Sequence, residues 1–131
     1  ADFPWGGEGG GLALRWRGGL LPADCAEGLQ AMAAAAAPAG RLTGAATLSA
    51  GALRGTLRAE GPAELAAAFE RVRRACQALG GYLVLLEAPG EVWGRIDPWG
   101  APPDSLPLMR KLRAEFDGRT VVNPGRFLAG L

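Results

Sequence analysis

Residues 12–17, LALRWR, alternate strictly: Leu12, Leu14 and Trp16 fall on one side, Arg15 and Arg17 on the other. Period two with bulky apolar residues on one face predicts a half-buried strand. The pattern then changes. Pro22 supplies the φ of a first helical turn, Asp24 and Glu27 suit the positive end of a helix dipole, and an alanine-rich run continues to Ala37 before Pro38 and Gly40 stop it. Leu29, Met32 and Ala33 form the expected apolar stripe. Period two returns at Leu42, Gly44, Ala46 and Leu48, and again at Leu53, Gly55 and Leu57 after a turn around Ala50-Gly51, which predicts a hairpin. Pro62 then opens a second helix. Its apolar residues Leu65, Phe69, Val72, Cys76 and Leu79 recur every three or four positions until Gly80-Gly81. The run YLVLLEA, residues 82–88, reads as a strand partly covered on both faces.

Strand, helix, strand, strand, helix, strand is the ferredoxin-like α+β order. It predicts a four-stranded antiparallel sheet with the first and third strands central, two helices on one face and the other face open. Residues 89–103 are turn-rich and read as neither strand nor helix. A further helix is expected from Ser105 to Phe116, striped by Leu106, Met109, Leu112 and Phe116 and ended by Asp117-Gly118. A short extended TVV and a tail complete the chain. The glycine-rich residues 1–11 read as a linker, and residues 12–131 as one domain.

Composition narrows the chemistry. The net charge is +1, so overall electrostatics favour neither nucleic acid nor an anionic membrane. No stretch approaches the roughly 20 apolar residues of a membrane span, and no signal peptide is recognisable, so a cytoplasmic location is expected. Histidine is absent and the cysteines are two, Cys25 and Cys76, which leaves no metal site to expect. Lys111 is the single lysine and Asn123 the single asparagine. Such a bias fits a GC-rich genome and equally a thermophile.

Local features carry more. If the leucines point to the helices, Arg15, Arg17, Arg54 and Arg58 share the open face with Thr43, Thr47 and Thr56. Like charges on adjacent strands repel, so the face expects either solvent or an acidic partner: carboxylates of another domain, a carboxylate substrate, or phosphates. Sheets of this topology that bind RNA place aromatics where these arginines and threonines stand, so RNA is not expected. WGGEGGG, residues 5–11, lacks the preceding strand and following helix of a phosphate loop. Cys25 and Cys76 read as separate buried thiols, with a disulfide favoured only in a hyperthermophile. Asp97 and Trp99 read as an Asx turn and a loop anchor.

The segment LMRKLRAEFDGRTVVNPGRFLAGL, residues 108–131, resembles the carboxyl end of FAD-linked oxidases of the vanillyl-alcohol oxidase type. Within them it is most similar to the FAD-binding subunit of bacterial glycolate oxidases. ALGGYLVLLEAPGEVWG and DPWGAPPDSLPLMRKL extend the likeness over residues 75–131. The resemblance implies the cap domain of an FAD-dependent 2-hydroxy-acid oxidoreductase, with flavoprotein and iron-sulfur subunits as partners. It further implies that Asn123 reaches towards flavin or ribityl groups, that Pro124 and Gly125 fix a turn with close backbone approach, that Arg126 meets flavin or a carboxylate, and that Phe127 pins the tail to the core. Arg15, Arg17, Arg54 and Arg58 become candidates for the substrate or a domain interface. The large flavin-binding domain of that family has no counterpart in these residues, so FAD binding is expected only together with it, and no turnover by this chain alone. The rival expectation is a non-catalytic ferredoxin-like binding or assembly module, working as an oligomer that buries its open sheets against each other.

Overall fold

The computed structural model of the chain describes residues 11–37 and 39–131, so most of the glycine-rich linker lies outside the described residues. β1 (Leu12–Gly19) runs through the sheet centre between β3 (Ala52–Ala59) and β4 (Tyr82–Glu87), and β2 (Gly40–Thr47) flanks β3. The order is β2-β3-β1-β4 and every pairing is antiparallel. A 3-10 turn at Pro22–Asp24 leads into α1 (Cys25–Ala36), and α2 (Pro62–Ala78) joins β3 to β4. This is the ferredoxin-like α+β fold, with α1 and α2 side by side on one face of the sheet.

Register explains the core. On the helix side Gly44, Gly55, Trp16 and Leu85 form one row across all four strands. Trp16 is 1% exposed, and its indole lies over the two glycines: a Cβ on Gly55 would stand 2.6 Å from its Cζ2, and one on Gly44 3.1 Å from the same atom. The glycine pair therefore makes room for the largest side chain in the core. Leu42, Leu57 and Leu14 form the neighbouring row, and Ala46, Leu53, Gly18 and Leu83 the next. Leu65, Phe69, Val72 and Cys76 of α2 close over them, as their spacing predicts.

Some positions depart from the expected pattern. α1 buries Cys25, Gly28, Met32 and Ala36, while Ala33 is exposed, because the helix turns the Cys25–Met32 side to the sheet. Leu48 is 60% exposed, since β2 stops at Thr47 and Leu48 enters the turn. Within 89–103 a short helix, α3 (Gly90–Trp93), buries Val92, and Ile96 follows it into the core. Cys25 and Cys76 are both buried and free. Each thiol donates to a carbonyl, that of Leu21 or Tyr82 respectively, and burial raises the Cys76 thiol to about 11.

Two arginines of α2 tie this unit together. Arg71 donates from Nε to the Ala35 carbonyl at 2.9 Å, satisfying an acceptor at the carboxyl end of α1, where a cation is favoured. Arg73 is 3% exposed, sits 4.6 Å from the centre of the Phe69 ring, and donates to the carbonyls of Leu83 and Pro98 and to Glu70. Burial lowers its pKa, and the charges of Glu70 and Asp97 oppose that shift. Pro98 also accepts from the Leu85 amide, so the chain leaving α3 is clamped to the edge of β4.

The chain divides into two compact units, Ala1–Pro98 and Trp99–Leu131. The second contains α4 (Leu106–Phe116) and a turn-rich tail. Of the predicted stripe only Leu106 is buried; Leu112 is 50% and Phe116 85% exposed. The expected extended TVV is instead bent, because Thr120 takes a φ of 53°. Asp117 holds the bend by accepting from the amides of Val121 at 2.9 Å and Val122 at 3.0 Å, while Arg113 donates to the Val122 carbonyl. These amides, first Val121 and then Val122, keep the Asp117 carboxyl below its usual range, with Arg113 adding to the effect. Among the described residues no helix is long and apolar enough to cross a membrane.

Candidate functional site

The second face of the sheet carries the side chains that alternate with the core rows. Register sorts them. One row runs Thr43, Thr56, Arg15, Glu87; the next runs Ala45, Arg54, Arg17, Val84; a third places Arg41 and Arg58 opposite each other, with Ala13 beyond. Among the described residues of the Ala1–Pro98 unit no helix packs on this side, and Arg17, Arg41 and Arg54 are exposed.

The four arginines expected on this face are on it, but they do not form one cluster. Arg15, Arg17 and Arg54 line a cavity of about 370 Å³ together with Thr43, Thr56, Ala45 and Leu86. Arg58 lines a second, of about 270 Å³, with Arg15, Glu87 and Pro89. Arg15 serves both, and its Nη1 donates to Glu87 Oε1 at 2.7 Å. Exposed as that pair is, it adds little stability, yet it fixes where Arg15 points and neutralises its charge. Thr47 ends β2 and stands outside the cavities described.

Arg17 and Arg54 differ. They are direct register partners on the two central strands, and no hydrogen bond or ion pair engages either guanidinium among the described residues. Opposed like charges cost stability in a sheet. What they border is a concave surface rich in donors: two guanidinium forks and, one row over, the Thr43 and Thr56 hydroxyls, which can both donate and accept. Leu86 and Ala45 add an apolar edge. Such a surface can take a carboxylate by paired N–H···O bonds.

Arg41 and Glu87 went unnoticed in the sequence reading. The signal for Arg41 was available, because the alternation of β2 begins at Gly40, two residues before the first leucine. Glu87 is the one charged residue of β4 and supplies within the chain an acid that the arginines were expected to find elsewhere.

The tail residues belong to the other unit. Asn123, with a φ of 41°, and Gly125, with a φ of 73°, form a tight turn closed by the Arg126 amide donating to the Asn123 carbonyl at 3.2 Å. Asn123, Gly125 and Arg126 are all exposed, and nothing lies within 4 Å of where a Gly125 Cβ would stand. They offer donors and an approachable backbone. Phe127 is 43% exposed and meets Trp99 edge-on at 4.9 Å, so it anchors the tail to that ring and not within a core.

No protein-family model matches the chain, and comparison with the curated proteins and with the solved structures found no match either.

Proposed function

We propose that this chain is the cap domain of an FAD-dependent 2-hydroxy-acid oxidoreductase and that its open sheet face binds the carboxylate of the substrate. The observation that carries the reading is the opposed pair Arg17 and Arg54, unneutralised among the described residues, on the wall of a cavity on the sheet face away from α1 and α2. Two guanidinium groups directly opposite each other repel, and a carboxylate bound between them turns that repulsion into charge-assisted hydrogen bonds. Self-association through this face would set arginines against arginines, which disfavours the assembly-module alternative.

The likeness of residues 75–131 to the glycolate oxidase FAD subunit supplies the oxidoreductase part of the proposal. The exposed Asn123-Pro124-Gly125-Arg126 turn suits contact with one side of a flavin whose pyrophosphate is held by a separate flavin-binding domain. The flavin would supply the hydride chemistry; Arg17 and Arg54 bind and orient the acid.

The test is 2-hydroxy-acid-dependent dye reduction by the flavoprotein that contains these residues. Arg17→Gln and Arg54→Gln should each lower kcat/KM by roughly 10- to 100-fold with flavin content unchanged, the loss of a hydrogen bond to a charged group. Unchanged kcat/KM in both variants would refute the assignment.

A further inference from the structure

The charge of the cavity says more than that its ligand is an anion. Three arginines line it, and Glu87, the acid that reaches them among the described residues, is spent on Arg15. Among the described residues the wall is therefore left with two positive charges, those of Arg17 and Arg54, side by side across the β1–β3 pairing. A monocarboxylate can bridge the two forks, but it brings one negative charge against their two and leaves the pair with a net positive charge. A ligand with two negative charges satisfies both.

The shape selects among dianions. A cavity of about 370 Å³ exceeds what a single phosphate group fills, and Ala45 and Leu86 border it with apolar surface that suits carbon. Thr43 and Thr56 are themselves register partners, one row from the arginine pair, and their hydroxyls can bond a hydroxyl of the ligand. We infer that this site binds a short-chain 2-hydroxy dicarboxylate, one carboxylate on each of Arg17 and Arg54, in preference to a monocarboxylate such as glycolate. The site is the one assigned to substrate above, and the inference concerns the charge and length of what it holds.

Binding can be measured on this chain without flavin. Isothermal titration calorimetry at constant ionic strength would compare malate, glycolate and inorganic phosphate. Malate should bind about tenfold or more tightly than glycolate, and Arg17→Gln or Arg54→Gln should each remove that advantage. Arg41→Gln, which changes a charge of the same face outside the cavity, should leave malate affinity within about twofold. Equal affinity for malate and glycolate overturns the inference, as does phosphate binding as tightly as malate, or an equal loss in all three variants. Near-ultraviolet circular dichroism of each variant shows that it is folded. If malate binds here while dye reduction ignores both arginines, the oxidoreductase reading fails and the dicarboxylate site stands; the reverse outcome removes the dicarboxylate preference alone.

Discussion

Substituting Gly55 by alanine tests whether the glycine row across the sheet is what admits Trp16. The added methyl would meet the Thr43 carbonyl oxygen, the Gly44 Cα at 2.8 Å and Trp16 Cζ2 at 2.6 Å. The first two are backbone atoms of the β2–β3 ladder, so relief requires the strands to move. At Gly44 the same change meets only side chains, Trp16 at 3.1 Å and Leu29 at 3.3 Å, which can yield by a few tenths of an ångström. Overpacking of a tight core costs roughly 1–3 kcal/mol. Replacing a strand glycine by alanine returns about 0.5–1 kcal/mol through the unfolded chain. Gly55→Ala, with backbone in the way, belongs at the upper end and should lose about 2 kcal/mol net; Gly44→Ala should lie within about 1 kcal/mol of the parent.

Urea unfolding measures this directly. With a slope of about 1–3 kcal/mol per molar urea, a loss of that size lowers the midpoint by roughly 1 M. Combining Gly55→Ala with Trp16→Phe separates the two clashes, since the smaller ring relieves the indole contact and leaves the Thr43 carbonyl. A coupling of about 1 kcal/mol between the two sites is expected, because they touch. The reasoning fails if Gly55→Ala is as stable as the parent, or if Gly44→Ala is the more damaging of the two.

Two other perturbations probe separate parts of the molecule. Asp117 has a folded pKa below the ordinary carboxylate value of about 3.9, so its contribution to holding the tail is complete above that value and is lost as pH falls through the folded pKa. The amide proton resonances of Val121 and Val122 should shift together in acid below about pH 4 and show no such titration in Asp117→Ala; a flat parent curve would contradict the hydrogen bonds assigned to them. On the sheet, Arg54→Gln removes one of two opposed charges and should raise stability by about 0.2–1 kcal/mol at low salt, with the gain fading in molar salt, where the screening length is about 3 Å. Destabilisation by that variant would mean that Arg17 and Arg54 do not repel.

The elements of the first unit were legible because each carries a periodic signal strong enough to survive without context. β1, β3 and α2 fall where alternation or three-four spacing puts them, and the arginines of β1 and β3 follow from the leucines opposite them. Signals weakened by alanine failed: in a run such as AMAAAAA periodicity cannot tell which face is buried, so Ala33 was read inward and Ala36 missed. Buried Arg73 was hidden for another reason. Its burial depends on the carbonyls of Leu83 and Pro98, supplied by two later segments, and no local pattern on α2 announces them. The stripe of α4 was read correctly as a pattern, yet Leu112 and Phe116 are exposed, because periodicity reports an apolar face and not what covers it.

The charge balance shows how a bulk number can conceal a site. A net charge of +1 argues against any general affinity for anions, but it does not say where the charges lie. The strands depart from it: β1 to β4 carry Arg15, Arg17, Arg41, Arg54 and Arg58 against Glu87, while the helices carry acids such as Glu27, Glu64 and Glu70. Alternation in a sheet then delivers all five arginines to one face, because the core claims the other. A fold selected for stability alone would place an acid opposite Arg17, as it places Glu87 opposite Arg15. That one cross-strand pair is neutralised while, among the described residues, its neighbour is not makes the Arg17–Arg54 pair a local conflict, and such conflicts concentrate where a protein binds something.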